Sequence, residues 1–170
     1  MGNLEIVQGD ITRAQVDAIV NAANPQMLGG GGVDGAIHRA AGSELLEACR
    51  RIPAVDGIRC PPGEARMTRA GQLPAKYVIH TVGPIYDSDP TPAETLASAY
   101  ISSLKLAMEQ SCRTIAFPAI SCGVYGYPID EAAFVAKNTC GRIEFSELDI
   151  YFYLFNEQVA RVWREIFNRV

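Results

Sequence analysis

The sequence predicts a three-layer α/β/α domain, and three observations predict it. Six short runs rich in β-branched and aromatic residues are spread along the chain, with stretches of 3.6-residue apolar period between them. The run Ala18-Ile19-Val20 is apolar without alternation, as in a strand covered by helices on both faces. Two glycine-bearing loops each lead from the end of a strand to the start of a helix, the arrangement in which open α/β sheets bind ligands. At 170 residues the chain is long enough for one domain, residues 1–170, with a substantial core.

The elements follow in order. Residues 5–8 form a short strand, left by the turn Gly9-Asp10-Ile11-Thr12, where an aspartate ordinarily satisfies turn amides. Residues 17–21 form the second strand, and a helix is expected over 33–41. Gly42 stops that helix, and Ser43 is the expected N-cap of another running to Cys49. Residues 52–63 carry Pro53, Gly57, Pro61, Pro62 and Gly63 and read as an irregular surface connection. Strands are expected over 64–70 and 77–82, then a turn-rich stretch over 87–92. Leu96, Tyr100, Leu104 and Met108 mark a core-facing helix over 93–109. A buried strand over 114–118 feeds the second loop, 119–128, and the helix over 129–139 starts with Pro128 and carries Asp130 and Glu131 in its first turn. Residues 148–155 are the last strand, and Val159, Val162, Trp163, Ile166 and Phe167 line the closing helix.

Composition narrows the function classes. Hydrophobic residues make up 48% and charged residues 20%, ordinary for a globular protein. No apolar run is long enough to span a bilayer, and Met1-Gly2-Asn3-Leu4-Glu5 lacks the features of a signal peptide, so a cytoplasmic protein is expected. The five cysteines are widely spaced, with no C-x-x-C and only two histidines, which predicts reduced thiols and no structural metal. The net charge of −4 argues against an extended nucleic-acid partner. It does not argue against a small phosphorylated ligand, which backbone amides at a helix end can hold.

The first loop is where such a ligand is expected. Asn21-Ala22-Ala23-Asn24-Pro25 leads into Gly29-Gly30-Gly31-Gly32, and Val33-Asp34 opens the helix. Four consecutive glycines lose much backbone entropy on folding, so something must approach the backbone closely. A linker would be flanked by Ser, Pro or charge, whereas this run lies between strand and helix. Gly30 to Gly35 also satisfies G-x-G-x-x-G, but residues 24–28 intervene after the strand, so the match to a dinucleotide fingerprint is weak.

Read together, Gln8-Gly9-Asp10-Ile11-Thr12, Ile19-Val20-Asn21-Ala22-Ala23-Asn24-Pro25, Gly30-Gly31-Gly32-Val33-Asp34, His80-Thr81-Val82-Gly83-Pro84 and Phe117-Pro118-Ala119-Ile120-Ser121-Cys122-Gly123-Val124-Tyr125-Gly126 make the chain resemble a macrodomain. It is similar to the MacroD-like bacterial branch, which removes acyl or protein esters from ADP-ribose. The resemblance covers essentially the whole chain. It implies a macrodomain fold with a mixed, mostly parallel central sheet, no cofactor and no metal. It also implies ADP-ribose and its O-acyl esters, or ADP-ribosylated proteins, as ligands. By resemblance Asp10 and Ile11 take the adenine, with Phe155 stacking and Asn156 beside it. Gly30, Gly31, Gly32 and Val33 and the second loop, Ser121, Cys122, Gly123, Val124, Tyr125 and Gly126, embrace the diphosphate. Asn24 lies by the distal ribose, Asp34 is the catalytic carboxylate, and Tyr125 helps hold the ribose. Cys122 stands where the family more often has Thr or Ala.

Each residue also has a plainer reading. Asp34 could merely cap a helix, Tyr125 and Tyr127 could pack the loop, His80 could be a satisfied strand residue, and Phe155 could be core. Cys122 at a strand-to-helix turn is a rival nucleophile, although neither His38 nor His80 can be placed beside it from sequence. A non-catalytic ADP-ribose reader and a protein-binding regulator are the alternative functions; Asn24 and Asp34 are the features that favour a hydrolase.

Overall fold

The computed structural model describes residues 3–169. Strands β1 (Asn3–Gln8), β2 (Ala18–Ala22), β3 (Ala65–Arg69), β4 (Tyr77–Thr81), β5 (Thr114–Phe117) and β6 (Asp149–Leu154) form one sheet in the order β1-β6-β5-β2-β4-β3. All neighbours are parallel except β3 and β4. Five strand ends therefore share one edge of the sheet.

Period-two alternation divides each strand between two helical layers. Ala18 and Val20 of β2, Ile79 of β4, Ile115 and Phe117 of β5 and Ile150 and Phe152 of β6 pack with helices α3 (Pro92–Glu109), α4 (Ile129–Cys140) and α5 (Glu157–Phe167). Ile19, Val78 and Ala116 face the other way, toward α1 (Gly32–Ala41) and α2 (Ser43–Arg50). The first layer is held by aromatic packing: Phe117 lies 5.8 Å from Phe152, and Trp163 stacks 5.7 Å from Phe167.

One expected helix cap shifts. Ser43 is the first residue of α2 rather than its cap, because Gly42, at φ 84°, both ends α1 and precedes α2, and no side chain caps α2. Helix α4 begins at Ile129 as expected, with Pro128 just before it. Short 3-10 turns at Ile11–Arg13 and Ile143–Phe145 lie where the sequence indicated only connections. Among the described residues no helix is long and apolar enough to cross a membrane.

Candidate functional site

The loops leaving β1, β2, β4, β5 and β6 close around a cavity of about 850 Å³ at the shared strand ends. Asp10 and Ile11 line it beyond β1, Phe155 and Asn156 beyond β6, and Ser121 to Tyr125 beyond β5. Asn24, Gly31, Gly32, Val33 and Asp34 line it beyond β2. Of the expected site residues only Gly30 and Gly126 are absent from the wall. Gly126, at φ 73°, turns the second loop, its N–H bonded to Gly123 O at 3.0 Å. Gly30 acts through what it omits: a Cβ there would lie 3.1 Å from Asp34 Oδ2 and 3.4 Å from Asn24 Nδ2.

The glycine loop delivers α1 to the cavity with its first turn open. No side chain caps α1, so the N–H groups of its first residues are without intrahelical partners and the positive end of the helix dipole faces the space. The second loop adds more donors. Ser121 takes φ 67° and its hydroxyl donates to Pro84 O at 2.8 Å, which leaves Gly123, Val124 and Tyr125 N–H without protein acceptors among the described residues. The two loops thus present two groups of free amides to one cavity, a setting suited to a diphosphate.

At the β2 end, Asp34 is almost completely buried, 5% exposed. Its Oδ1 accepts from Asn21 Nδ2 at 2.8 Å, and His38 Nε2, one turn on, approaches Oδ1 at 3.4 Å without hydrogen-bond geometry. Oδ2 takes part in neither contact and lies on the side of Gly30. Asn24 is held by its own turn: Oδ1 accepts from Met27 N–H at 3.1 Å, and Nδ2 donates to Gly29 O at 3.1 Å. One Nδ2 hydrogen remains for a ligand. Burial, and then the charge of Asp34, push the Tyr125 phenol up, so it stays a hydroxyl donor at neutral pH.

At the opposite end, Asp10 Oδ1 accepts from Thr12 N–H at 2.9 Å and Thr12 hydroxyl at 2.7 Å, the expected turn role, and its other oxygen takes no part in these bonds. Phe155 lies one residue beyond β6 and is 82% exposed, so it is not core. Asn156 caps α5 through Val159 N–H at 3.1 Å. Tyr127, by contrast, is buried edge-on to Tyr86 at 4.9 Å and packs the loop, whereas Tyr125 lines the cavity.

The thiol alternative finds no support here. Burial pushes Cys122 up to about 12, against a thiolate at neutral pH, and neither histidine is among its hydrogen-bond partners. His80 is buried with both ring nitrogens in contact, a satisfied strand residue. Sequence reasoning missed Tyr153 and Val159 on the wall and the contact of Asn21 with Asp34. Alternation along β2 carried a signal for Asn21, which shares the face of Ile19. The connections around the cavity are tied to its loops: Arg59 and Cys60 N–H donate to Pro25 O, just beyond β2, at 2.8 and 3.1 Å, and Tyr86 N–H donates to Tyr125 O in the loop after β5 at 2.9 Å.

Comparison with known proteins agrees with this architecture. The family model described as Macro domain matches residues 20–136. A macro domain-containing protein of Vibrio parahaemolyticus is 61% identical, with 96% of each chain covered. An O-acetyl-ADP-ribose deacetylase of Citrobacter rodentium is 51% identical over 98% of this chain and 96% of its own. An Oceanobacillus iheyensis macrodomain solved with ADP superposes with a TM-score of 0.91 at 46% identity, covering 96% of this chain and 88% of that one. By sequence, by sheet order and by the loops that frame its cavity, the chain belongs to the macrodomain family.

Proposed function

We infer that the chain binds ADP-ribose and hydrolyses esters on its distal ribose, such as O-acetyl-ADP-ribose or mono-ADP-ribosylated aspartate and glutamate, with a positioned water. The observation that carries this reading is Asp34: a buried carboxylate on the cavity wall, tied at Oδ1 and open at Oδ2. The ligand's course follows the sheet order. Adenine lies between Asp10, Ile11 and Phe155, the diphosphate between the glycine loop and residues 121–126, and the distal ribose by Asn24, Asp34 and Tyr125. From β1 to β2 is three strand spacings, about 14 Å, suited to an extended dinucleotide-like ligand.

Hydrolysis then needs a water aimed at the acyl carbon, an acceptor for its proton and donors for the oxyanion. Asp34 Oδ2 and Asn24 orient the water. In this reading orientation of the water outweighs full proton abstraction, and the substrate's own diphosphate is a second acceptor. The water oxygen bonds to the acyl carbon, the ester C–O bond to ribose breaks, and the water's proton ends on the ribose oxygen. No step calls for a metal. The relatives named as O-acetyl-ADP-ribose deacetylases support the reading.

The test is conversion of O-acetyl-ADP-ribose to ADP-ribose by the purified protein without added metal, beside calorimetric titration with ADP-ribose. Binding with conversion is expected. Binding without conversion of any ester would instead make the protein a reader of ADP-ribose.

A further inference from the structure

Behind Asp34 the interior contains a chain of polar side chains that the cavity itself does not require. Asn21 on β2 and His80 on β4 are register partners in the parallel ladder, and alternation turns both, with Thr68 of β3, toward the α1–α2 layer. Asn21 is 0% exposed and His80 1%. Asn21 Nδ2 contacts Asp34 Oδ1 at 2.8 Å and His80 Nδ1 at 3.3 Å, while His80 Nε2 lies 3.0 Å from Thr68 Oγ1 and 3.7 Å from Cys49 Sγ.

The chemistry of these atoms leaves one consistent assignment. An amide nitrogen only donates, so His80 Nδ1 must accept, and the ring proton sits on Nε2, where Thr68 Oγ1 accepts it. Both Asn21 hydrogens are then used, one on the carboxylate and one on the imidazole, and Asn21 Oδ1 is left buried without a partner. Turning the amide over would set Oδ1 against Asp34 Oδ1 at 2.8 Å, acceptor to acceptor, and break the bond to the carboxylate. Two acceptors on one nitrogen therefore fix the amide plane. The titratable groups around the ring are Asp34 and His38 of α1, Cys49 of α2 and Cys60, whose thiol meets His80 O at 3.8 Å. Burial and His38 keep the ring neutral, down at about 3.

We propose that His80, backed by Thr68, is a positioning residue for hydrolysis: as a neutral acceptor it locks the Asn21 amide, which in turn holds Asp34 Oδ1 and leaves Oδ2 aimed at the water. The proposal rests on Asp34 as the catalytic carboxylate. A leucine at position 80 would fill the core equally well but would free the amide to rotate and the carboxylate with it. His80→Leu should lower kcat for O-acetyl-ADP-ribose by about ten- to a hundredfold while ADP-ribose Kd stays within about threefold. His80→Asn, whose side-chain oxygen can accept where Nδ1 does, should keep kcat within about fivefold of the unsubstituted protein. A kcat for His80→Leu within about twofold, or an equal loss in both variants, overturns the proposal. Should His80→Leu fail to fold, Thr68→Val removes only the acceptor of the Nε2 proton; it should lower kcat at least about threefold at unchanged Kd, and an unchanged kcat overturns the lock. One readout is independent of turnover. Nitrogen NMR of the ligand-free protein at pH 7 should show His80 as the neutral Nε2–H form, and the Asn21 side-chain amide should be slow to exchange in the unsubstituted protein and His80→Asn. An Nδ1–H tautomer, or an Asn21 amide that exchanges freely, overturns the lock even if the protein proves to hydrolyse no ester.

Discussion

At residue scale the glycines of the first loop divide into those that make room for protein and those that make room for ligand. A Cβ on Gly35 would lie 2.5 Å from the backbone oxygen of Gly30, so Gly35→Ala must push the loop; a loss of about 1–3 kcal/mol in denaturant unfolding is expected, with weaker ADP-ribose binding. Gly31 meets nothing within 4 Å and has φ −93°, which alanine tolerates. Gly31→Ala should therefore leave stability unchanged and reduce ADP-ribose affinity, because its methyl enters the space beside the amides; unchanged affinity would place the diphosphate elsewhere. His80 sets a pH dependence at the same scale. Its folded value lies far below the ordinary 6.5, so the unfolded chain takes up the proton first. The stability it contributes is complete above about pH 6.5 and falls as pH drops toward 3. Relative to His80→Asn, the protein should lose about 2 kcal/mol between pH 7 and pH 5, measured by urea unfolding at both.

At element scale, helix starts decide both stability and ligand geometry. Asn156 combines the two roles, lining the cavity while capping α5, and Asn156→Ala should cost about 1 kcal/mol through the lost bond to Val159 N–H, read in a thermal or urea melt. Asp17 ties β2 to the start of β5: its carboxylate accepts from Arg113 and Thr114 N–H at 2.8 and 3.2 Å, and chiefly the Arg113 bond holds it below its ordinary 3.8. The stabilisation is present above pH 3.8 and disappears as pH falls below it. Asp17→Ala should be less stable than the unsubstituted protein at pH 7, with the gap narrowing on acidification; a constant gap would mean the charge is irrelevant. All six strands and five helices were legible because their apolar periods are local. The 3-10 turns and the start of α2 were not. A single Gly42 serving two helices, with no residue free for a serine cap, is a tertiary fit that composition does not announce.

At the scale of the whole molecule, five parallel strand ends set the cavity-lining residues at fixed intervals, and the loops fill the space between. That explains why so much of the candidate site could be read from linear motifs: each motif is the segment following one strand. What could not be read was what lies behind them. The contacts among Asn21, His80 and Thr68 depend on β4 lying between β2 and β3, and strand order is not written in any local pattern. The same holds for the tie of residues 59–60 to Pro25 after β2 and of Tyr86 to Tyr125 after β5.

Asp34 is proposed to act on the water and not on ligand affinity. Asp34→Ala should be compared with the unsubstituted protein in ADP-ribose Kd and in kcat for O-acetyl-ADP-ribose, on the same preparations. An affinity within about threefold with kcat reduced about a hundredfold or more is the predicted result. Full turnover by the variant would contradict it and reduce Asp34 to a helix-terminal carboxylate.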